Sequence, residues 1–274
     1  MKARKAELMV GRAVLAFMVV FTLAPFVALV SAALQEAGSN PTGLAWPDLR
    51  NIGNFKTAFQ VAHLPELTLS SVLLVLMVVP AALVMASLAG YAIAVRRVPL
   101  GGIAFVVLLA GLTIPFESLI TPLYYQMRDY GLLNTRWAIA LPLIALFMPF
   151  GVVWMRAHFQ GVPRELTEAA EVDGASSWRL LWSVHLPLAR PALTSLAVLF
   201  SLWTWNQFIL ALVMVEDPLR RTMAGALGAF RGQYGPDLVL MSAGSLLIML
   251  PTILVFVAFQ KHFAAALLQG SVKG

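Results

Sequence analysis

PRELTEAAEVDGASSWRLLWSVHLPLARP, Pro163–Pro191, is the longest polar, charge-bearing stretch between two strongly apolar ones, and its reading decides the fold. It is short enough to connect two membrane spans, yet it carries the punctuation of two helices. Pro163 suits a first helical position, Glu165 and Glu168 fall in the first turns where a carboxylate meets the positive end of the helix dipole, and Asp173-Gly174 offers a left-handed stop. Ser176 or Ser177 caps a second helix, whose Trp178, Leu181, Trp182 and His185 recur at i, i+3, i+4 and i+7 before Pro187 ends it. The expectation is a helix-turn-helix with an apolar ridge, standing between spans.

Working outward, the composition fits nothing but a membrane. The 274 residues are 60% hydrophobic and 12% charged, with a mean hydropathy of +0.83, whereas a soluble domain needs about 25% charged residues to cover its surface. Zero cysteines exclude disulfides and thiolate metal sites, and four scattered histidines make no metal cluster. The net charge of +6 is tested first against membrane topology, before nucleic acid, for which nothing else argues.

Six apolar runs succeed one another along the chain. Ala13–Gln35 carries no charge over 23 residues, enough to cross a core of about 30 Å. The preceding Lys2, Arg4, Lys5 and Arg12, with Ser31-Ala32-Ala33 downstream, also fit a cleavable leader, but the run exceeds the ~7–15 residues of a leader core and is read as a span. Glu36–Glu66 is an external loop with a short helix around Asn54–Phe59; Leu67–Val95 is the second span, with Pro80 as a kink. The third runs from Gly101 to Tyr124, interrupted by Pro115, Glu117 and Pro122, and the fourth from Trp137 to Met155. Pro191–Val215 and Leu238–Gln260 are the fifth and sixth, flanking a Gly-rich basic loop, Glu216–Asp237. Of the 19 Lys and Arg residues, 12 fall on the side of both termini and the Glu168 segment and seven on the other, so both termini and that segment are expected in the cytoplasm.

Glu168-Ala169-Ala170, then Gly174, then Val184-x-Leu186-Pro187 resembles the EAA loop of permease subunits in bacterial ATP-binding-cassette importers. The resemblance extends over nearly the whole chain and is densest from Leu123 onward. Asn134-Thr135 after Gly131-Leu132-Leu133, Trp205-Asn206-Gln207-Phe208, Arg221-Thr222, Gly232-Gln233-Tyr234, Leu250-Pro251, Phe259-Gln260 and the final Ser271-Val272-Lys273-Gly274 are similar to the carbohydrate, maltose-permease (MalG-type) branch. Gln207 departs from that pattern, which often has an acidic residue there, so no charge role is assigned to it.

The resemblance implies an all-α, six-span permease of the bacterial inner membrane. Residues 1–66 would hold the first span and external loop, 67–260 the transport core with its loop at 158–191, and 261–274 a cytoplasmic tail. It implies that Glu168, Ala169, Ala170, Asp173, Gly174, Trp178, Leu186 and Pro187 dock into an ATPase subunit, and that Ser271, Val272, Lys273 and Gly274 reach the ATPase interface. It also implies the partners: a second, MalF-like permease, two ATPase subunits, an external sugar-binding protein and the bilayer. The chain itself would be no enzyme.

The chain has no G-x-x-x-x-G-K-[ST] loop, so ATP and its Mg ion are expected in the partner, with no cofactor on this chain. Glu117 is the one carboxylate within an otherwise apolar run, and an ionisable group there marks a possible solute pathway or a group reaching external water. Trp203, Trp205, Asn206 and Gln207 bring aromatic faces and amides together, as a sugar site requires, although Trp also populates membrane interfaces and amides join neighbouring helices. An ion-coupled secondary transporter would show more intramembrane carboxylates and an internal repeat. A membrane enzyme would show paired carboxylates, a Ser/His pair or metal ligands within the spans.

Overall fold

The computed structural model describes residues 2–41, 44–232 and 235–271. Helix follows helix: α1 Lys2–Ala33, α2 Gly53–Val61, α3 Leu64–Ala94, α4 Gly101–Gly111, α5 Phe116–Asp129, α6 Trp137–Gln160 and α7 Arg164–Val172. Then come α8 Ser177–Leu188, α9 Arg190–Trp205, α10 Ile209–Met214 and α11 Leu238–Ser271. Strand structure among the described residues is one two-residue antiparallel pair, Arg231–Gly232 with Gly235–Pro236.

Among the described residues, four helical stretches are long and apolar enough to cross a bilayer: Met9–Ala33, Leu64–Ala94, Trp137–Gln160 and Leu238–Gln260. Two bent pairs raise the number to six, Gly101–Gly111 with Phe116–Asp129 at 104° and Ser177–Leu188 with Arg190–Trp205 at 75°. The third span is therefore two helices that part before Pro115, whose extended backbone precedes α5. Thr113 Oγ donates to the Ala110 carbonyl at 2.7 Å and so satisfies the end of α4. Pro122 lies inside α5 without ending it.

The expected fifth span also needs correction. It stops at Trp205 and resumes at Ile209, because Asn206 and Gln207 offer side-chain partners to the freed backbone: Asn206 Nδ2 donates to the Leu202 carbonyl at 2.9 Å and Gln207 Oε1 accepts from the Leu210 amide at 3.3 Å. The fourth span runs one turn further than Met155, to Gln160. The basic residues before the first run are helical and continue into it.

The chain divides into two compact units. One comprises residues 1–64 and 226–251. In it, Phe230 packs so closely on the last helix that a β-carbon at Gly244 would run into its ring. The other comprises residues 65–225 and 252–274 and holds a core in which Leu74, Ile139, Leu143, Leu196 and Phe200 are almost wholly buried. Small residues let its helices approach: a β-carbon on Gly90 of α3 would lie 2.9 Å from the Arg156 amide of α6, and one on Gly151 of α6 would lie 2.8 Å from Ala86.

At the end of this unit opposite Glu168, Asn134 sits at φ 60° and serves three partners. Its side-chain carbonyl accepts from the Asp217 amide at 2.9 Å, its own amide donates to Met214 at 2.9 Å, and its carbonyl accepts from Arg220 at 3.1 Å. Arg136 then donates to Ser70 Oγ at 3.1 Å, which itself donates to the Arg220 carbonyl at 3.0 Å. The loop after α10 is thereby fastened to the start of α3.

Candidate coupling site and solute path

The polar segment folds as two short helices. Pro163 stands just outside α7, which begins at Arg164, with Glu165 in its first turn. At the far end Gly174 adopts φ 78°, its amide bonds to the Glu171 carbonyl at 3.0 Å and the Ala175 amide to the Ala170 carbonyl at 2.9 Å. Those two bonds are the paired closure of a Schellman motif, which requires the left-handed residue between them. Ser176, rather than Ser177, caps α8 by accepting from the Arg179 amide at 3.4 Å.

The expected apolar ridge divides. Leu180, Leu181 and His185 are buried, while Trp178 and Trp182 are each 61% exposed. A π-helical turn over Leu181–His185 inserts a residue into the period and rotates the side chains that follow it about the helix axis. The same turn corrects the reading of Pro187 as a stop. A proline in a helix clashes with the carbonyl four residues back, and the wider turn over those carbonyls lets the helix run on to Leu188.

The pair is held from behind by α3 and α6. Tyr91 donates to the Ser177 carbonyl at 3.2 Å, Thr167 Oγ and His185 Nε2 share a hydrogen bond of 3.2 Å, and the rings of Tyr91, Phe159 and His185 meet edge to face with centroids 5.2–5.9 Å apart. Arg96 and Glu171 add an ion pair at 3.7 Å, but both are about half exposed and the pair contributes little. A cavity of about 710 Å³ lies behind the two helices, lined among others by Arg97, Arg156, Arg164, Glu168, Glu171 and His185.

Outward, Glu168, Ala169, Asp173, Gly174 and Trp178 are all exposed, Ala170, Leu186 and Pro187 are half-buried, and Val172 is 88% exposed. Carboxylates beside uncovered Val172, Trp178 and Trp182 give a surface that an aqueous partner of mixed basic and apolar character can cover. His185, read from the sequence as part of the apolar ridge, is the ring that Tyr91 and Phe159 seat. Tyr91 itself escapes a reading of the sequence, because it lies 77 residues before the Glu168 it helps to position.

The candidate path residues are not all together. Trp203 packs in an aromatic cluster with Phe147, Phe150 and Phe200, at centroid distances of 5.6, 5.1 and 5.8 Å. Asn206 and Gln207 stand at the break between α9 and α10 with amide groups engaged by backbone, and buried Thr222 donates to the Gln207 carbonyl. Trp205 is half-buried, with an indole N–H that has no partner among the described residues. Glu117 is exposed in the first turn of α5, where the dipole of a fresh helix start favours a carboxylate. It therefore lies beside a helix break rather than inside a continuous span. Phe147 and Phe150, missed in the sequence, are an i, i+3 pair within the fourth span.

Ser271 closes α11, and Val272, Lys273 and Gly274 lie outside the described residues, as do Gln233 and Tyr234. Among the described residues no group of three His, Asp or Glu side chains gathers as metal ligands.

The chain is largely helical, with broken candidate membrane spans and a braced pair of short helices, α7 and α8, after α6. The family profile "Binding-protein-dependent transport system inner membrane component" matches residues 79–269, and the chain belongs to that family. It is 32% identical to the arabinooligosaccharides transport system permease protein AraQ of Halalkalibacterium halodurans, over 97% of this chain and 96% of that one. It is 29% identical to the diacetylchitobiose uptake system permease protein NgcG of Streptomyces coelicolor, over 96% and 88% respectively. A crystal structure of a bacterial ABC transporter involved in the import of the acidic polysaccharide alginate contains a chain of the same fold, with a TM-score of 0.79 at 19% identity, covering 96% of this chain and 98% of that one.

Proposed function

We propose that this chain is the permease subunit of an ATP-driven carbohydrate importer of the bacterial inner membrane, forming half of the solute path. The observation that carries the reading is the exposed, Gly174-closed pair α7 and α8, braced on α3 and α6 by Tyr91, Thr167 and His185. Relatives named for arabinooligosaccharides and diacetylchitobiose support a carbohydrate as the solute. The working assembly adds a second permease, two ATPase subunits that bind ATP and Mg, and an external sugar-binding protein. Both termini and α7–α8 face the cytoplasm. Glu168, Ala169, Ala170, Asp173, Gly174, Trp178, Leu186 and Pro187 form the ATPase contact, and the end of the tail, Ser271–Gly274, approaches the same subunit.

Closure of the two ATPases on ATP moves α7 and α8, and their brace transmits that movement to α3 and α6. The step requires that ATP bind one conformation of the assembly more tightly than the other. Trp203 with its Phe cluster, and Trp205, Asn206, Gln207 and Glu117 at helix breaks, are the groups through which the moving spans meet the solute. Proteoliposomes carrying the whole assembly test the reading with a panel of labelled oligosaccharides. Uptake is expected only with enclosed ATP and the binding protein, and robust uptake by this chain alone on an ion gradient would overturn it.

A further inference from the structure

Residues 44–52, between α1 and α2, turn their large apolar side chains outward. Trp46 is 96% exposed, Leu49 72%, Leu44 71% and Ile52 63%. Leu44 and Trp46 stand two apart, and after them Leu49 and Ile52 begin and end a 3₁₀ turn, in which residues three apart eclipse. Side chains of this kind left in water forgo the free energy of burial, so the set calls for a cover.

The segment is tied to the outer end of α1. Ser31 Oγ donates to the Ala45 carbonyl at 2.6 Å, Asn51 Nδ2 to Leu34 at 3.1 Å, and Asn54 Nδ2 to Ala33 and Gln35 at 2.9 and 2.8 Å. The two asparagines satisfy carbonyls at and just past the end of α1, and together with Ser31 they fix residues 45–54 at the depth of its last turn. That depth is set by length. Met9–Ala33 has 25 residues, about 37 Å of helix against a hydrocarbon core of about 30 Å, so Ser31–Ala33 falls at the headgroup boundary. The most apolar window of α1 has no residue buried within this chain, whereas Ser31 and Ala33 beyond it are buried.

We propose that residues 44–52 are an interfacial anchor, with Leu44, Trp46, Leu49 and Ile52 seated in the outer leaflet at the boundary between headgroups and acyl chains. Tryptophan is favoured in that layer, where its ring meets hydrocarbon and its N–H meets water, and Asp48 and Arg50 between the anchors stay in the aqueous part. The anchor fixes the height at which α2, and Leu64 after it, leave the membrane surface.

The chain has no cysteine of its own, so single nitroxide labels report depth directly. In the assembled complex in lipid nanodiscs, labels at Leu44→Cys, Trp46→Cys, Leu49→Cys and Ile52→Cys are expected to collide with oxygen several-fold more than with a water-soluble nickel chelate. Labels at Asp48→Cys and Arg50→Cys are expected to show the reverse. Chelate access at the four positions equal to that at the two controls would overturn the proposal, and so would shielding from both reagents, which would mean a protein cover. Without any label, Trp46→Phe is expected to remove part of the tryptophan emission that brominated lipids quench; an unchanged quenched fraction counts against the anchor.

Discussion

Asn134 shows how much one side chain can carry. Asparagine tolerates the left-handed backbone better than most residues, and here its side-chain oxygen also takes the Asp217 amide that would otherwise be left open. Asn134→Ala removes both advantages, and the expected loss is about 1–3 kcal/mol, felt where the loop after α10 meets the start of α3. Hydrogen exchange on the purified assembly checks this. Protection should fall at Asp217–Thr222 and be unchanged in α7, whereas a uniform loss, or none, would mean that the clasp is not local.

Between the elements α3 and α6, close approach is made through Gly90 and Gly151. A methyl at Gly151 would press on Ala86 at 2.8 Å and on the Phe200 ring at 3.1 Å, both of them buried. Gly151→Ala is therefore expected to cost roughly 1–3 kcal/mol through overpacking. Gly102→Ala is the control, since nothing lies within 4 Å of its added carbon. Thermal unfolding in detergent should drop for the first and not for the second. Equal midpoints would show that the two helices part easily.

The sequence makes α3, α6 and the Gly174 turn legible because each rests on local chemistry, a long uncharged run or a glycine that alone suits φ 78°. The break at Asn206–Phe208 is not legible in the same way. No proline or glycine marks it, and the helix opens because Asn206, Gln207 and Thr222 supply bonds that depend on the fold. The π-turn at Leu181–His185 is hidden for a related reason. Helical period places Trp178 and Trp182 with Leu181 and His185, but only the latter two are buried, and the seat offered by Tyr91 and Phe159 takes His185. The exposed tryptophans are thus a product of tertiary packing, and they alter the candidate surface from a buried ridge to an outward one.

For the whole molecule, the central claim is that an ATPase drives the path through α7 and α8. Two substitutions separate that claim from mere stability. Glu168 is exposed, and space around Gly174 is open, so Gly174→Asp strains the backbone by about 1 kcal/mol or more but clashes with nothing. In the proposed contact Glu168→Lys reverses the charge offered to the ATPase, where a charge-assisted hydrogen bond contributes about 1.5–3 kcal/mol, yet the same change would be welcome on a face that only rests on anionic lipid. The most direct measurement purifies the assembly with each substitution and reads bound ATPase and sugar uptake on the same preparation. The account predicts a chain that inserts normally but has lost ATPase, or that hydrolyses ATP without uptake. Normal ATPase binding together with normal uptake in both variants would contradict it.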